Sequence, residues 1–259
     1  VWRSRGVRPD AVVGMSAGEF AAAYAAGVLG IEDVMNVACG MSRVIRRKLG
    51  LGRMVSISVG LEEAETLRCI APRPVYITAE YSPTVTMLSG EEAAIEAVIA
   101  ILAERGIKYW RIPTDFAFHS PLVDGGKEEF MRNLLGLRPR PAIVPIYSSV
   151  IAGRLETAGF DALHWWHVFR KPAFFAGAVY RLLQDNYDIF LEIGNHPILS
   201  GSIQETASRL NKRVITLPSM RRDRSAGIVL DESLEALRSL GYPAALPGAF
   251  PPHDGLSVP

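Results

Sequence analysis

The sequence predicts an α/β protein in two parts, a core built on a mostly parallel sheet and a smaller subdomain inserted into it. Three observations predict this. Short β-branched runs alternate with helical stretches along most of the chain. Residues 53–116 read in the order β-α-β-β-α-β, a self-contained supersecondary unit of the ferredoxin-like type. The strand–helix pattern of the first 52 residues then resumes after residue 116. The expected boundaries are 1–52 and 117–242 for the core, 53–116 for the insertion, and 243–259 for a loose tail rich in proline and glycine.

Taken in order, residues 1–5 read as the end of a helix closed by Gly6, so the first part of the core is expected to lie outside this chain. Pro9-Asp10 turns the chain into a buried strand at 11–13. A Gly-rich turn leads to an alanine-rich helix at 17–27. Glu32-Asp33 opens the next helix, which runs to Lys48 and is broken by Gly50-Leu51-Gly52. In the insertion, strands are expected at 54–59, 75–79, 85–88 and 108–112, with helices at 62–69 and 91–105. Beyond it come a helix at 123–135, a crossing marked by Pro139, Pro141 and Pro145, and a strand at 143–148. Helices at 172–185, 200–210 and 230–240 then enclose strands at 189–192 and 214–217.

Composition narrows the function. The chain has 259 residues, enough for a sizeable core, and 28 basic against 27 acidic residues give a net charge of +1. A nucleic-acid binder carries a clear basic surplus, so that class is disfavoured. Cys39 and Cys69 have neither disulfide-framework nor zinc spacing, so no metal is expected and a reducing cytoplasm fits. No apolar run reaches the ~18 residues of a membrane span, and no membrane partner is expected.

Gly14-Met15-Ser16-Ala17-Gly18 is G-x-S-x-G, placed after a buried strand and at the start of a helix. That context makes the core hydrolase-like, with Ser16 held out on a strained turn. The backbone N–H of Ala17, at the helix N-terminus, is the expected oxyanion donor. A serine needs a base within reach. Of the five histidines, His164 and His167 flank Trp165-Trp166, and His253 is in the tail. His119, where the insertion rejoins the core, and His196, after a strand end, compete on position alone.

Residues 14–27 (G-M-S-A-G-E-F-A-A-A-Y-A-A-G), with Leu29 and Glu32-Asp33, resemble the acyltransferase domains of polyketide synthases and the malonyl-CoA:acyl-carrier-protein transacylases. Phe116-Ala117-Phe118-His119-Ser120 resembles that family's histidine motif, and residues 190–199 (F-L-E-I-G-N-H-P-I-L) its late strand-and-turn signature. Trp165-Trp166, Arg170-Lys171-Pro172 and Phe174-Phe175 resemble the stretch before its late helix. The likeness covers roughly residues 1–240, in order. It implies that Ser16 is the nucleophile and His119 the base of a dyad, with a backbone carbonyl orienting the histidine. We place that carbonyl near Asp185-Asn186. It implies a two-step reaction. An acyl group moves from a CoA or carrier-protein thioester to Ser16, then to the phosphopantetheine thiol of an acyl carrier protein, with no bound cofactor. The family's second oxyanion donor comes from a loop that this chain does not contain.

The chain departs from the family together at several pocket positions. Met15 stands where histidine usually precedes the nucleophile, Met41 where an arginine clamps a substrate carboxylate, and Tyr81 where asparagine is frequent. Arg43 lies about 200° round the helix from Met41. Phe116, Phe118, Asn195 and His196 complete the expected substrate contacts. Each change removes polarity, and a carboxylate buried without the arginine would lack a partner, so an uncharged acyl group is expected. Should Arg43 serve as the clamp, the substrate would be malonyl-like. A thioester hydrolase acting on acyl carrier proteins, with the same dyad, and an inactive docking module remain as other readings. Arg46-Arg47-Lys48 and Arg221-Arg222-Asp223-Arg224 are exposed-loop or helix-end clusters that could meet an acidic carrier protein.

Overall fold

A computed structural model describes residues 1–155 and 159–243. The expected loose tail, apart from its first residue, and His253 lie outside the described residues. After a 3-10 turn at Arg3–Arg5, the chain forms β1 (Val12–Gly14), α1 (Gly18–Ala25) and α2 (Ile31–Lys48). The inserted unit follows as β2 (Arg53–Ile57), α3 (Leu61–Ile70), β3 (Val75–Ser82), β4 (Val85–Gly90), α4 (Glu92–Glu104) and β5 (Tyr109–Ile112). The core returns with α5 (Lys127–Asn133), β6 (Ile146–Ser148), β7 (Gly153–Leu155) and α6 (Ala162–Arg170). It closes with β8 (Ala173–Phe174), α7 (Phe175–Gln184), β9 (Ile189–Glu192), α8 (Ser200–Arg209), β10 (Ile215–Pro218) and α9 (Ala226–Ser239). Among the described residues no helix is long and apolar enough to cross a membrane.

The inserted unit has the expected β-α-β-β-α-β order and the strand order β5-β2-β4-β3, antiparallel throughout, with β8 added in parallel at the β3 edge. Alternation along β2 explains its two faces. Val55 and Ile57 pack with Leu67, Leu88, Ile95, Val98 and Leu102 under α3 and α4. Met54 points the other way and packs with Met87, Ala79 and Ala173. On β3 the faces switch part-way. Val75 and Ile77 lie with the helices, whereas Ala79 and Tyr81 lie with Met54. Strict alternation would have kept all four together, and a β-bulge between Ile77 and Ala79 breaks the phase.

In the core, β1 pairs in parallel with β6, β7 adds antiparallel to β6, and β9 pairs in parallel with β10 as a separate two-stranded sheet. The mostly parallel character holds, in two short sheets. Several expected boundaries change for local reasons. The 123–135 helix opens as a 3-10 turn at Pro121–Gly126, where Gly125-Gly126 interrupts it. The 143–148 strand shortens to 146–148, because Arg140 and Ile143 give their N–H groups to Val28 and Ala26. The Trp165-Trp166 stretch, unassigned from sequence, is α6, capped by the Asp161 carboxylate accepting from His164 N–H at 2.8 Å. Both tryptophans, with Phe116, Phe130, Phe160 and Phe169, fill the largest hydrophobic cluster. The 172–185 helix gives up its start to β8, since Ala173 and Phe174 pair with β3.

Candidate active site

Ser16 sits between β1 and α1 with φ 52°, a left-handed conformation that costs a non-glycine residue about 1–3 kcal/mol. The surrounding packing enforces it. A Cβ on Gly14 would lie 2.3 Å from Glu19 Cα and 2.4 Å from Glu19 N, so only glycine lets α1 start so close to the strand. Gly18 has open space where its Cβ would be. Helix hydrogen bonds begin at once, with Gly18 N–H donating to Met15 O and Glu19 N–H to Ser16 O. Ala17 N–H donates to no described residue and stands at the exposed N-terminal end of α1.

His119 also has positive φ, 54°, and is 5% exposed. Its turn is pinned from both sides. Ser89 Oγ donates to Phe118 O at 3.3 Å, and Ser120 Oγ donates to Ala117 O at 2.8 Å. Ser16 Oγ lies 2.8 Å from His119 Nε2, and His119 Nδ1 lies 2.8 Å from Lys171 O. A carbonyl only accepts, so Nδ1 carries the proton and Nε2 is left to accept from the serine hydroxyl. Burial pushes the imidazole below its ordinary value, opposed by the Lys171 carbonyl and by the charge of Glu19. His119 is therefore neutral near pH 7, the form a general base needs.

The orienting carbonyl is thus Lys171 rather than the Asp185-Asn186 region. Asp185 instead accepts from Tyr147 OH at 2.5 Å and pairs with Arg181. The signal for Lys171 was in the sequence. A residue before proline is driven out of the helical region, and Lys171, before Pro172, has φ −84° and ψ 155°. Its carbonyl therefore leaves the α6 axis and turns to His119. Arg170 clamps the same junction to the 3-10 turn after His119, its Nε 2.5 Å from Asp124 Oδ1 and its Nη2 3.1 Å from Oδ2.

The other expected site residues divide. Met15, Tyr81 and Phe118 pack against Met54, Ala79, Met87 and Ala173, an apolar wall contributed by both parts of the chain. Burial pushes the Tyr81 hydroxyl above its usual range. Met41 (8% exposed) and Phe116 (2%) lie in the aromatic cluster of α2, α5 and α6, onto which Phe118 also packs. Arg43 is on the exposed face of α2. His196 Nδ1 accepts from Arg222 N–H at 3.3 Å, and neighbouring Asn195 is exposed. The motif around them serves the fold, because the Glu192 carboxylate accepts from the N–H groups of Ile198, Leu199 and Ser200 and caps α8. Among the described residues no group of three His, Cys, Asp or Glu is placed to hold a metal ion.

Sequence reasoning missed Glu19. This carboxylate is 3% exposed on α1 and accepts from Ser148 and Ser149 of the β6 end. In the sequence it is an acid in the first turn of an alanine-rich helix, where such residues are ordinarily exposed, so no local signal marked it.

A family profile described as "Acyl transferase domain" matches residues 1–240. Polyketide synthase GfsE of Streptomyces halstedii is 37% identical over 262 residues, which covers 100% of this chain and 7% of that protein. The chain thus spans a small fraction of the curated relative it matches. Among solved structures, the acyltransferase domain from module 8 of the salinomycin polyketide synthase superposes with TM-score 0.89 at 30% identity, covering 94% of this chain and 57% of that one. A loading acyltransferase from the avermectin modular polyketide synthase gives TM-score 0.86 at 32% identity, covering 92% and 75%.

Proposed function

The chain belongs to the acyl transferase domain family, and from that premise we propose that it moves an acyl group from a thioester to an acyl carrier protein through an ester on Ser16. The observation that carries this reading is the continuous relay from Ser16 Oγ through His119 to the Lys171 carbonyl, 2.8 Å at each step. His119 removes the serine proton as Ser16 attacks the thioester carbon. The oxyanion forms beside Ala17 N–H, and the departing thiol takes the proton from His119. In the second half the phosphopantetheine thiol gives its proton to His119 and attacks the ester carbon, and Ser16 Oγ leaves with that proton returned to it from His119. The reaction exchanges one thioester for another, so no cofactor is needed to balance it. Exposed Arg46, Arg221 and Arg222 are cations of the kind that would steer an acidic carrier protein.

The acyl group is proposed to be uncharged. Met15, Tyr81 and Phe118 share an apolar wall, Met41 is buried among aromatics, and Arg43 faces solvent. A substrate carboxylate placed there would be desolvated without a cation, at a cost of several kcal/mol. The test is intact-protein mass spectrometry of the full-length protein incubated with malonyl, acetyl and longer monocarboxylic thioesters, with Ser16→Ala as control. The expected result is a persistent monocarboxylic adduct on Ser16, discharged by carrier protein, with monocarboxylic loading at least ~100-fold faster than malonyl loading, the scale of ~3 kcal/mol. Preferential malonyl loading would overturn the substrate reading. Release of free acid without a lasting adduct would replace the transferase with a hydrolase.

A further inference from the structure

The relay uses a neutral carbonyl behind His119 and leaves one buried acid without a part in the chemistry. Glu19 Oε1 accepts from Ser149 Oγ at 2.8 Å and Ser149 N–H at 2.9 Å, and Ser148 Oγ reaches both carboxylate oxygens at 3.0 and 2.9 Å. The β1–β6 register places these serines there, since Gly14 pairs with Ser148. Ser149 is held in two further directions. Its Oγ lies 3.4 Å from Ser16 N, and its carbonyl accepts from Phe174 N–H at 2.7 Å, three residues after Lys171. One carboxylate therefore organises the serine that touches the nucleophile's backbone and the strand that follows the histidine's carbonyl partner. With its hydroxyl proton given to Glu19, Ser149 Oγ presents a lone pair to the Ser16 N–H.

We propose that Glu19 is a positioning residue for the dyad: through Ser149 it fixes the Ser16 turn, and its charge stabilises the imidazolium that His119 becomes during acyl transfer. This rests on the Ser16–His119 reading. The charge-stabilising half is the part that a third carboxylate plays when it contacts the histidine directly, and here Nδ1 is occupied by Lys171 O instead. Glu19 is close enough to raise the affinity of His119 for its proton against the effect of burial. Other titratable and charged groups border the pair. From α6, His164 Nε2 is 3.6 Å from Glu19 Oε2, and His167 and Arg170 are half-buried, with Arg170 paired to Asp124. Lys171 is exposed, and Tyr81 comes from β3.

The test is the rate of Ser16 acylation, read by rapid-quench mass spectrometry across pH 4–9 on the full-length protein, for Glu19→Gln, Ser149→Ala and Ser16→Ala. Glu19→Gln keeps size and an acceptor but removes the charge. Its plateau rate is expected to fall on the order of 10- to 100-fold, at an unchanged half-saturating thioester concentration. Without the nearby anion His119 holds its proton less well, so the acid limb should move to lower pH. Ser149→Ala keeps the carboxylate and is expected to slow acylation with the limb in place. An unmoved limb in a folded Glu19→Gln protein, or wild-type speed in Ser149→Ala, would overturn the proposal. So would a limb displacement that disappears in a His164→Gln background, since the limb would then report His164. Adduct formation in Ser16→Ala would instead overturn the dyad reading on which it stands.

Discussion

His119→Ala is expected to slow the acylation of Ser16 on the order of 10⁴-fold, ~5 kcal/mol of transition-state stabilisation. Among the described residues no other base hydrogen-bonds the serine hydroxyl, which lies 2.8 Å from His119, and a neutral hydroxyl is a poor nucleophile. The half-saturating thioester concentration should change little, because His119 meets the reacting atoms rather than the acyl chain. Lys171→Ala is the informative control. Only the main-chain carbonyl of Lys171 orients the imidazole, and the exposed side chain should be dispensable, leaving the rate within about threefold of wild type. The pH profile follows from the direction of the His119 shift. Burial holds the imidazole below its ordinary 6.5, so the active neutral form persists as pH falls through 6.5. Activity should be lost only on further acidification. An acid limb above 6.5 would contradict the buried, carbonyl-bound histidine.

The Ser16–His119 contact was legible in the sequence because each residue sits in a short motif with its own local geometry, and the family resemblance then separated His119 from His196. What lay beyond reach was the relation between distant segments. Glu19 looks like an exposed acid in a helix's first turn until the β1–β6 register brings Ser148 and Ser149 over it. Tyr81 reaches the apolar wall only because the bulge after Ile77 reverses the phase of β3, and a bulge leaves no periodic signature of its own. The core's two short sheets are likewise a tertiary matter, since β7 pairs antiparallel on β6 through contacts that no single-strand pattern announces. Lys171 is the intermediate case. Pro172 announces that its carbonyl leaves the helix, but not that His119, 52 residues away in sequence, will receive it.

Gly14→Ala is expected to damage the fold itself, and Gly18→Ala, four residues on in the same motif, is not. A methyl group at Gly14 would sit 2.3 and 2.4 Å from main-chain atoms of Glu19 and 2.7 Å from its Cγ. Rotamer changes relieve only the last of these, so relief requires α1 to move away from β1. Overpacking of this kind costs ~3 kcal/mol or more, a fall in Tm of about 6–12 °C for a chain of this size. The displacement would also draw Ser16 from His119 and Glu19 from Ser149, so acylation should fall further than the folded fraction does. At Gly18 nothing lies within 4 Å of the added methyl. That residue opens α1, where alanine restricts the unfolded chain more than glycine, and a gain of up to ~1 kcal/mol is expected. Thermal unfolding of the two variants beside wild type, with acylation rates normalised to folded protein, separates the two roles. Equal Tm values would mean that α1 can yield without cost, and the tight strand–helix contact would then not be what holds Ser16 at positive φ.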